Sequence, residues 1–236
     1  MILDLHTHSI KSDDGRAKVE NYCKWIRKKE IPLDGFVLTE HRQYDSESDY
    51  RALEDEYNLL ILKASEVETD YGHVLVFGVN EDLLHSFDFA NIRLPIQTVL
   101  NASKENGAFA APCHPGRKRV GLFSHYARSG PIADVHTVEV FNGGSIPGED
   151  QLSVEQAAIY GYRGFGGSDS HVVSRIGYCA TKFERDTITT VEDLATIYFT
   201  LDGTTPTIND NIYTLPIILN SNTVVRVRSF LEGLKQ

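Results

Sequence analysis

The sequence has little tryptophan, methionine and cysteine, and it lacks a long apolar run. Its 236 residues include one Trp, one Met and three widely spaced cysteines, at positions 23, 113 and 179, with no Cys-x-x-Cys pattern. This odd number of unclustered cysteines excludes a disulfide scaffold and favours a reducing compartment. The longest apolar runs fall far short of the roughly 20 residues that a membrane helix needs. No basic segment followed by an apolar stretch precedes residue 6, so we expect a soluble, cytoplasmic protein with no membrane partner.

Positive charge is also scarce. The chain has 23 basic and 33 acidic residues, a formal net charge of -10. This balance argues against a surface for non-specific duplex binding, and a single Trp gives little sign of a stacking track for single strands. Nucleic acid is therefore not the expected partner, although a locally positive site could still take a small anionic substrate.

The chain shows no internal boundary. Hydrophobic residues make up 41% of it, and no linker-like, low-complexity or repeated segment interrupts them. We expect a single domain over residues 1–236 with a sizeable core. The oligomeric state cannot be read from the sequence.

What the sequence does contain is an apolar first strand that ends in two histidines, His6 and His8. Residues two apart in a β-strand point to the same side, so both imidazoles can face one ion from a rigid support. This is a typical beginning of a metal site.

The same arrangement recurs along the chain, because short β-rich runs alternate with helical patterns and several runs end in polar residues. The alternation predicts parallel βαβ units, and the polar strand ends favour a (β/α) barrel. An apolar stripe predicts a helix over 19–26, and Pro95 and Gly107 bracket another. Residues 117–131 are aperiodic and predict a loop. Ser153 with Gln156 predicts a helix start, and a stripe predicts a helix over 190–198.

Nine imidazole and carboxylate side chains are candidate metal ligands: His6, His8, Asp13, His41, Glu66, His73, His114, Asp169 and His171. Burying so many polar groups together without a cation would leave them unpaired or mutually repelling. Imidazole and carboxylate without thiolate suit zinc, manganese or iron. Nine ligands exceed the four of one tetrahedral zinc, so we expect two or three divalent ions, with Glu66 and Asp169 as bridges.

In order and spacing these motifs resemble the polymerase and histidinol phosphatase (PHP) family, over residues 2 to about 203. The matching segments are His6-Thr-His8 with Ser12-Asp13, Thr39-Glu40-His41, Glu66 followed by His73-Val-Leu, His114-Pro115, and Gly167-Ser-Asp-Ser-His171. Each segment alone is a weak signal, but the ordered set is specific.

The resemblance implies a distorted seven-stranded (β/α) barrel with its metals at the carboxyl ends of the strands. It also implies three groups of ligands: His6, His8, Glu66 and Asp169; Glu66, His73 and His114; and Asp13, His41 and His171. Two features depart from the family: Glu40 replaces the usual Asp, and residues 78–108 are too few for the inserted domain of some nucleotide-hydrolysing members.

The resulting hypothesis is hydrolysis of a small phosphomonoester by a hydroxide held between two ions. Arg117, three residues after His114, is the candidate catalytic side chain because its planar fork matches a phosphoryl group. Lys118, Arg119, Arg128 and Arg175 are second choices. Glu139 and Asn142 are interpreted as supports of the ligands, and His85, His125 and His136 as residues outside the site.

Three alternatives stay open. The chain could be a non-catalytic metal-binding module of the kind that accompanies replicative polymerases. It could be an amidohydrolase, a class that also begins with His-x-His but usually carries a bridging lysine where this chain has Glu66. It could also be a nuclease, which would need a basic or aromatic track.

Overall fold

The computed structural model of the chain describes residues 1–183, 188, 196–200, 211–212 and 226–230. It contains strands and helices in alternation, as the sequence predicts. The strands are β1 (Ile2–Thr7), β2 (Gly35–His41), β3 (Leu60–Thr69), β4 (Gly72–Phe77), β5 (Phe109–Pro112), β6 (Thr137–Asn142), β7 (Arg163–Gly167), β8 (Thr181–Lys182), β9 (Thr196–Thr200), β10 (Asn211–Ile212) and β11 (Arg226–Phe230). The helices are α1 (Val19–Lys28), α2 (Arg51–Tyr57), α3 (Glu81–Ser86), α4 (Ile96–Glu105), α5 (Leu122–Ser129) and α6 (Glu149–Tyr160).

The strands form a strongly curled α/β sheet, which confirms the predicted fold class. The main sheet has the order β5-β4-β3-β2-β1-β8, and β6 and β7 form a parallel pair. β1, β2 and β3 are parallel, whereas β4 is antiparallel to both of its neighbours. A parallel bridge between Thr7 and Ser170 joins the end of β1 to the chain after β7. The carboxyl ends of β1, β2 and β7 therefore meet at one edge.

Two irregularities in strand pairing decide which side chains face inwards. In β1 one extra residue is accommodated between Asp4 and Thr7, and in β6 another is accommodated between Glu139 and Phe141. A bulge reverses the alternation of side chains after it. Leu3 and Leu5 pack in the barrel interior, so regular alternation would turn His6 away from it. Because of the bulge, His6 also reaches the interior carboxylate of Glu66.

Hydrophobic side chains fill the barrel below this edge and the space under the helices. The interior cluster includes Leu62, Leu75 and Phe165. The apolar stripe of α1 is fully buried as predicted, at Val19, Tyr22, Cys23 and Ile26. The core thus supports a rigid rim of strand ends.

Several predicted element boundaries were wrong. Residues 122–129, predicted as loop, form α5, whose Leu122, Phe123 and Tyr126 are buried against the core. α6 begins at Glu149, four residues before the predicted start, so Ser153 lies inside the helix. The Ser153 hydroxyl accepts a hydrogen bond from the Gly116 amide and donates one to the Glu149 carbonyl. Residues 196–198, predicted as helical, lie in β9, and residues 190–195 of that predicted helix lie outside the described residues.

A buried tyrosine joins helix α1 to the strand ends. The Tyr22 hydroxyl lies 2.8 Å from the carbonyl oxygens of both His8 and Ser170. We predict that Tyr22→Phe lowers the free energy of unfolding by about 1–3 kcal/mol, because it removes the buried hydroxyl donor that these carbonyl groups share. Urea denaturation followed by circular dichroism measures the change. Tyr71→Phe is the control, since that hydroxyl meets the Ser129 carbonyl at the surface; equal losses in both variants would contradict the prediction.

Candidate metal centre

The carboxylate of Glu66 is fully buried and lies among five imidazoles. Glu66 sits within β3, opposite His41 in β2 and on the same face as His73 in β4. Its two oxygens lie 2.7 Å from His73 Nδ1, 2.9 Å from His6 Nε2, 3.2 Å from His8 Nε2, 3.2 Å from His114 Nε2 and 3.4 Å from His41 Nδ1. The strand register therefore brings together side chains from four strands and the segment after β5.

Asp169 lies beside this group on the segment after β7. Its Oδ1 atom is 3.4 Å from the Nε2 atoms of both His6 and His8, and 3.6 Å from His171 Nδ1. Its Oδ2 atom accepts a hydrogen bond of 2.9 Å from Arg117 Nη2. Asp169 thus links the histidines to the predicted catalytic arginine.

His41 and His171 form an outer group whose acidic neighbour is Asp14. Asp14 Oδ2 lies 3.2 Å from His171 Nε2 and 3.6 Å from His41 Nε2. The structure does not bring Asp13, the sequence-predicted ligand, into this group, because its exposed carboxylate pairs with Arg42. Two adjacent aspartates made this position ambiguous in the sequence.

Three sets of donor atoms are close enough to share an ion. Two of them match groups that the family resemblance implies, and the third has His8 in place of Asp13. They are His6 with His8, Glu66 and Asp169; Glu66 with His73 and His114; and His8 with His41 and His171. A further set, His6 with Cys113 and Glu139, was not foreseen in the sequence. Cys113 immediately precedes His114, and this adjacency was the available signal.

Buried carboxylates outside the first three sets orient the imidazoles. Glu139 Oε1 lies 3.0 Å from His6 Nδ1, and its other oxygen accepts hydrogen bonds from the His114 amide and the Asn142 side chain. Glu40 accepts from the Ser9 amide and the Ser12 hydroxyl, and Ser12 Oγ lies 3.3 Å from His8 Nδ1. Such partners fix ring orientation in metal sites. These contacts agree with the interpretation of Glu139 and Asn142 as supports of the candidate ligands. Glu40 has a comparable role towards His8, through Ser12.

The backbone is strained at two residues of the site, and two strands approach each other very closely at a glycine. His114 and Asp169 have positive φ angles of 32° and 51°, which side-chain-bearing residues rarely adopt. A methyl group added at Gly167 would lie 2.4 Å from the His6 Cβ atom, so only glycine allows β7 to approach β1 here. Strain of this kind concentrates at functional sites.

The residues present fit a group of divalent cations. His8 Nε2 and His114 Nδ1 are buried without a hydrogen-bond partner of good geometry, although buried polar atoms are normally paired. Burial opposes protonation of His8, but the carboxylates of Asp169 and Glu66 outweigh it and raise its pKa to about 9. Burial would likewise raise the pKa of Glu66, yet the charge of His6 holds it well below its usual value. Positive charge therefore stabilises this pocket. Bound protons supply the charge here, and cations can supply it instead.

The remaining basic and imidazole candidates lie outside the donor sets. The Arg117 side chain is 26% exposed, and its Nη2 also donates to Asn142 Oδ1 at 3.0 Å. Lys118, Arg119 and Arg175 are exposed. His85 and His125 bond backbone carbonyls near them in sequence. His136 precedes β6 at the opposite edge of the sheet.

Comparison with known proteins adds two family matches. The model described as PHP-associated matches residues 148–196, and the model described as the chitobiase/beta-hexosaminidase C-terminal domain matches residues 182–236. No curated protein sequence matches the chain. Among the described residues, β9, β10 and β11 form a sheet of their own. The single domain over 1–236 stays a prediction.

Solved structures show the same architecture over most of the chain. A protein from Bifidobacterium adolescentis described as a metal-dependent phosphoesterase is 17% identical, with a TM-score of 0.55, covering 75% of this chain and 91% of that one. The fold is that of the PHP family. An amidohydrolase from Chromobacterium violaceum is 14% identical, with a TM-score of 0.57 over 76% of this chain and 91% of its own. The lesion-specific endonuclease EndoQ from Pyrococcus furiosus is 13% identical, with a TM-score of 0.57 over 82% of this chain and 56% of its own.

These solved structures support the predicted architecture, and they are described as having different activities. Every helix among the described residues is too short or too polar to span a bilayer. The buried cluster of histidines and carboxylates is consistent with a centre of several metals.

The two adjacent aspartates allow the outer group to be tested. We predict that Asp14→Asn weakens binding of the most weakly held metal equivalent by about 10- to 100-fold, because it removes the charge beside His41 and His171. Asp13→Asn, the matched control, should bind metal as the unaltered protein does. Metal titration by calorimetry, with elemental analysis of the dialysed protein, measures both. The reverse order of effects would restore Asp13 as the ligand.

Proposed function

We propose that this protein is a metal-dependent phosphoesterase that hydrolyses a small phosphomonoester. The observation that carries the proposal is the buried carboxylate pair, Glu66 and Asp169, shared among histidines and placed directly beside an arginine. Cation ligands and an anion-binding fork on one edge of a barrel suit a substrate with a phosphoryl group.

The ligands proposed are the three sets described above, with Asp13 or Asp14 completing the outer one. Glu66 belongs to two sets and His8 to two, so two or three ions would share these side chains. Zinc, manganese and iron suit this mixture of nitrogen and oxygen donors. Bound ions would supply Lewis-acid charge and would make water a nucleophile near neutral pH.

Arg117 has the position needed to hold the phosphoryl group. Its Nη2 atom is fixed by Asp169 and Asn142, and a guanidinium has further N–H donors that can meet phosphoryl oxygens. Asn142 is itself held by Glu139, which also holds His6. The arginine is thereby positioned through the same carboxylate that orients a ligand.

The choice of a small ester over nucleic acid has support in the charge of the chain. Acidic residues outnumber basic ones by 33 to 23, so the general field repels a polyanion. The positive charge of Arg117 is local, beside the centre. A soluble enzyme of the cytoplasm is the corresponding proposal for localisation.

Metal removal gives the first test. We predict that chelation lowers the melting temperature, because buried carboxylates and imidazoles lose the cations that stabilise them, and that adding back zinc, manganese or iron restores it. Differential scanning fluorimetry measures the shift, with magnesium as a control because it prefers fewer nitrogen ligands. An unchanged melting temperature across these additions would contradict a metal centre.

A phosphate-release assay with the reloaded protein tests the reaction itself. We predict that Arg117→Gln lowers kcat/KM for phosphomonoesters by about 10²- to 10³-fold, as the loss of a charge-stabilising donor does elsewhere. Arg119→Gln, which removes an exposed cation from the same segment, should leave kcat/KM unchanged.

Three outcomes would overturn the proposed reaction. The first is an absence of hydrolysis with every added metal, which would favour the binding module. The second is activity on amides or lactones alone, which would favour an amidohydrolase. The third is faster release of nucleotides from single-stranded DNA than of phosphate from small esters, which would favour a nuclease.

A further inference from the structure

We propose that Tyr178 and Arg175 form a subsite for a leaving group that contains a planar aromatic ring. The inference rests on the proposed function and narrows it to esters that join phosphate to a ring-bearing alcohol, such as an aryl or nucleoside phosphate. Hydrolysis consumes water and gives orthophosphate and that alcohol.

The two side chains form an exposed pair. Tyr178 is 60% exposed, which is unusual for so large an aromatic side chain. The guanidinium carbon of Arg175 lies 4.9 Å from the centre of its ring. Arginine and tyrosine together present the kind of surface on which bases and aryl rings stack.

A strip of two glycines connects Tyr178 to the candidate metal centre. A methyl group added at Gly143 would lie 3.0 Å from the Tyr178 Cβ atom. One added at the next residue, Gly144, would lie 3.1 Å from Arg117 Nη2 and 3.2 Å from Asp169 Oδ2. The tyrosine thus packs on one part of this strip and the phosphoryl-binding groups pack on the next.

A buried carboxylate holds the segment of Tyr178 in a fixed position relative to the segment of Asp169. Asp4 Oδ1 accepts a hydrogen bond of 2.8 Å from the Ser168 amide, next to Asp169, and Asp4 Oδ2 accepts one of 2.9 Å from the Gly177 amide, next to Tyr178. One rigid side chain of β1 therefore supports both the ligand and the aromatic residue. Preorganisation of this kind is what a binding site needs.

Other exposed apolar side chains lie on segments that follow the ligand-bearing strands. They are Ile10, two residues after His8; Ile146, two residues after Gly144; and Val172, directly after His171. A polar centre with an apolar margin is the usual form of a small-molecule site. Exposed apolar side chains on these segments favour a leaving group with apolar surface over a sugar or amino alcohol.

The test uses phosphonates, which bind without being hydrolysed. The metal-loaded full chain is titrated by calorimetry with phenylphosphonate, with the phosphonate analogue of adenosine monophosphate and with methylphosphonate. We expect the unaltered protein to bind at least one ring-bearing compound about tenfold more tightly than methylphosphonate, as stacking of a single ring provides. The first two compounds separate an aryl from a nucleobase preference.

Variants test which side chains cause the preference for ring-bearing compounds. Tyr178→Ala should abolish it and leave methylphosphonate binding unchanged, whereas Tyr178→Phe should retain it because the ring remains. Arg175→Gln should reduce it. Ile159→Ala, which truncates an exposed side chain on α6, is the control and should behave as the unaltered protein.

The outcomes separate this inference from the proposed function. Equal affinities for all three compounds, or a preference that survives Tyr178→Ala, would overturn the subsite even if phosphate esters are hydrolysed. A Tyr178-dependent preference in a protein that releases no phosphate would support the subsite and overturn the phosphoesterase.

Discussion

The burial of the Glu66 carboxylate is the constraint on which the rest of the site depends. A carboxylate removed from water is costly unless charges and hydrogen bonds compensate it. Five histidines from four separate segments converge on its two oxygens. Each of those segments must therefore pass through one place in space, and the curvature of the sheet follows from the same requirement.

The barrel meets this requirement by departing from regular geometry where the candidate ligands lie. The bulge in β1 turns His6 towards the interior, and the bulge in β6 allows Glu139 and Asn142 to be buried on either side of the exposed Phe141. The antiparallel β4 returns His73 to the face of Glu66. Local irregularity thus serves the convergence of polar groups, and the apolar interior below supplies the rigidity.

Much of this arrangement could be predicted from the sequence, because strand periodicity and ligand chemistry are local properties. The spacing of His6 and His8 predicted imidazoles that face one partner, and both lie within 3.2 Å of Glu66. The buried stripe of α1 followed from a regular 3.6-residue period.

What could not be predicted depends on tertiary contacts. Ser153 has the sequence pattern of a helix cap, but its hydroxyl is used by Gly116 across the fold. The start of α6 falls instead at Gly148, whose φ angle is positive. Asp13 and Asp14 have the same side chain, and they are distinguished by the ion pair that Asp13 forms with Arg42. α5 is short, and its apolar residues become informative only once the core beneath them is known.

The exposure of the candidate ligand groups increases from the centre outwards, and this has a kinetic consequence. The side chains of His6, His8 and Glu66 are fully buried, whereas His171 is 27% and Asp14 is 56% exposed. Water reaches the outer group directly, and the inner groups lie behind it. Ions held at the two depths would exchange with solvent at different rates, so the outermost would follow changes in free metal concentration first and the protein would pass through partially loaded states.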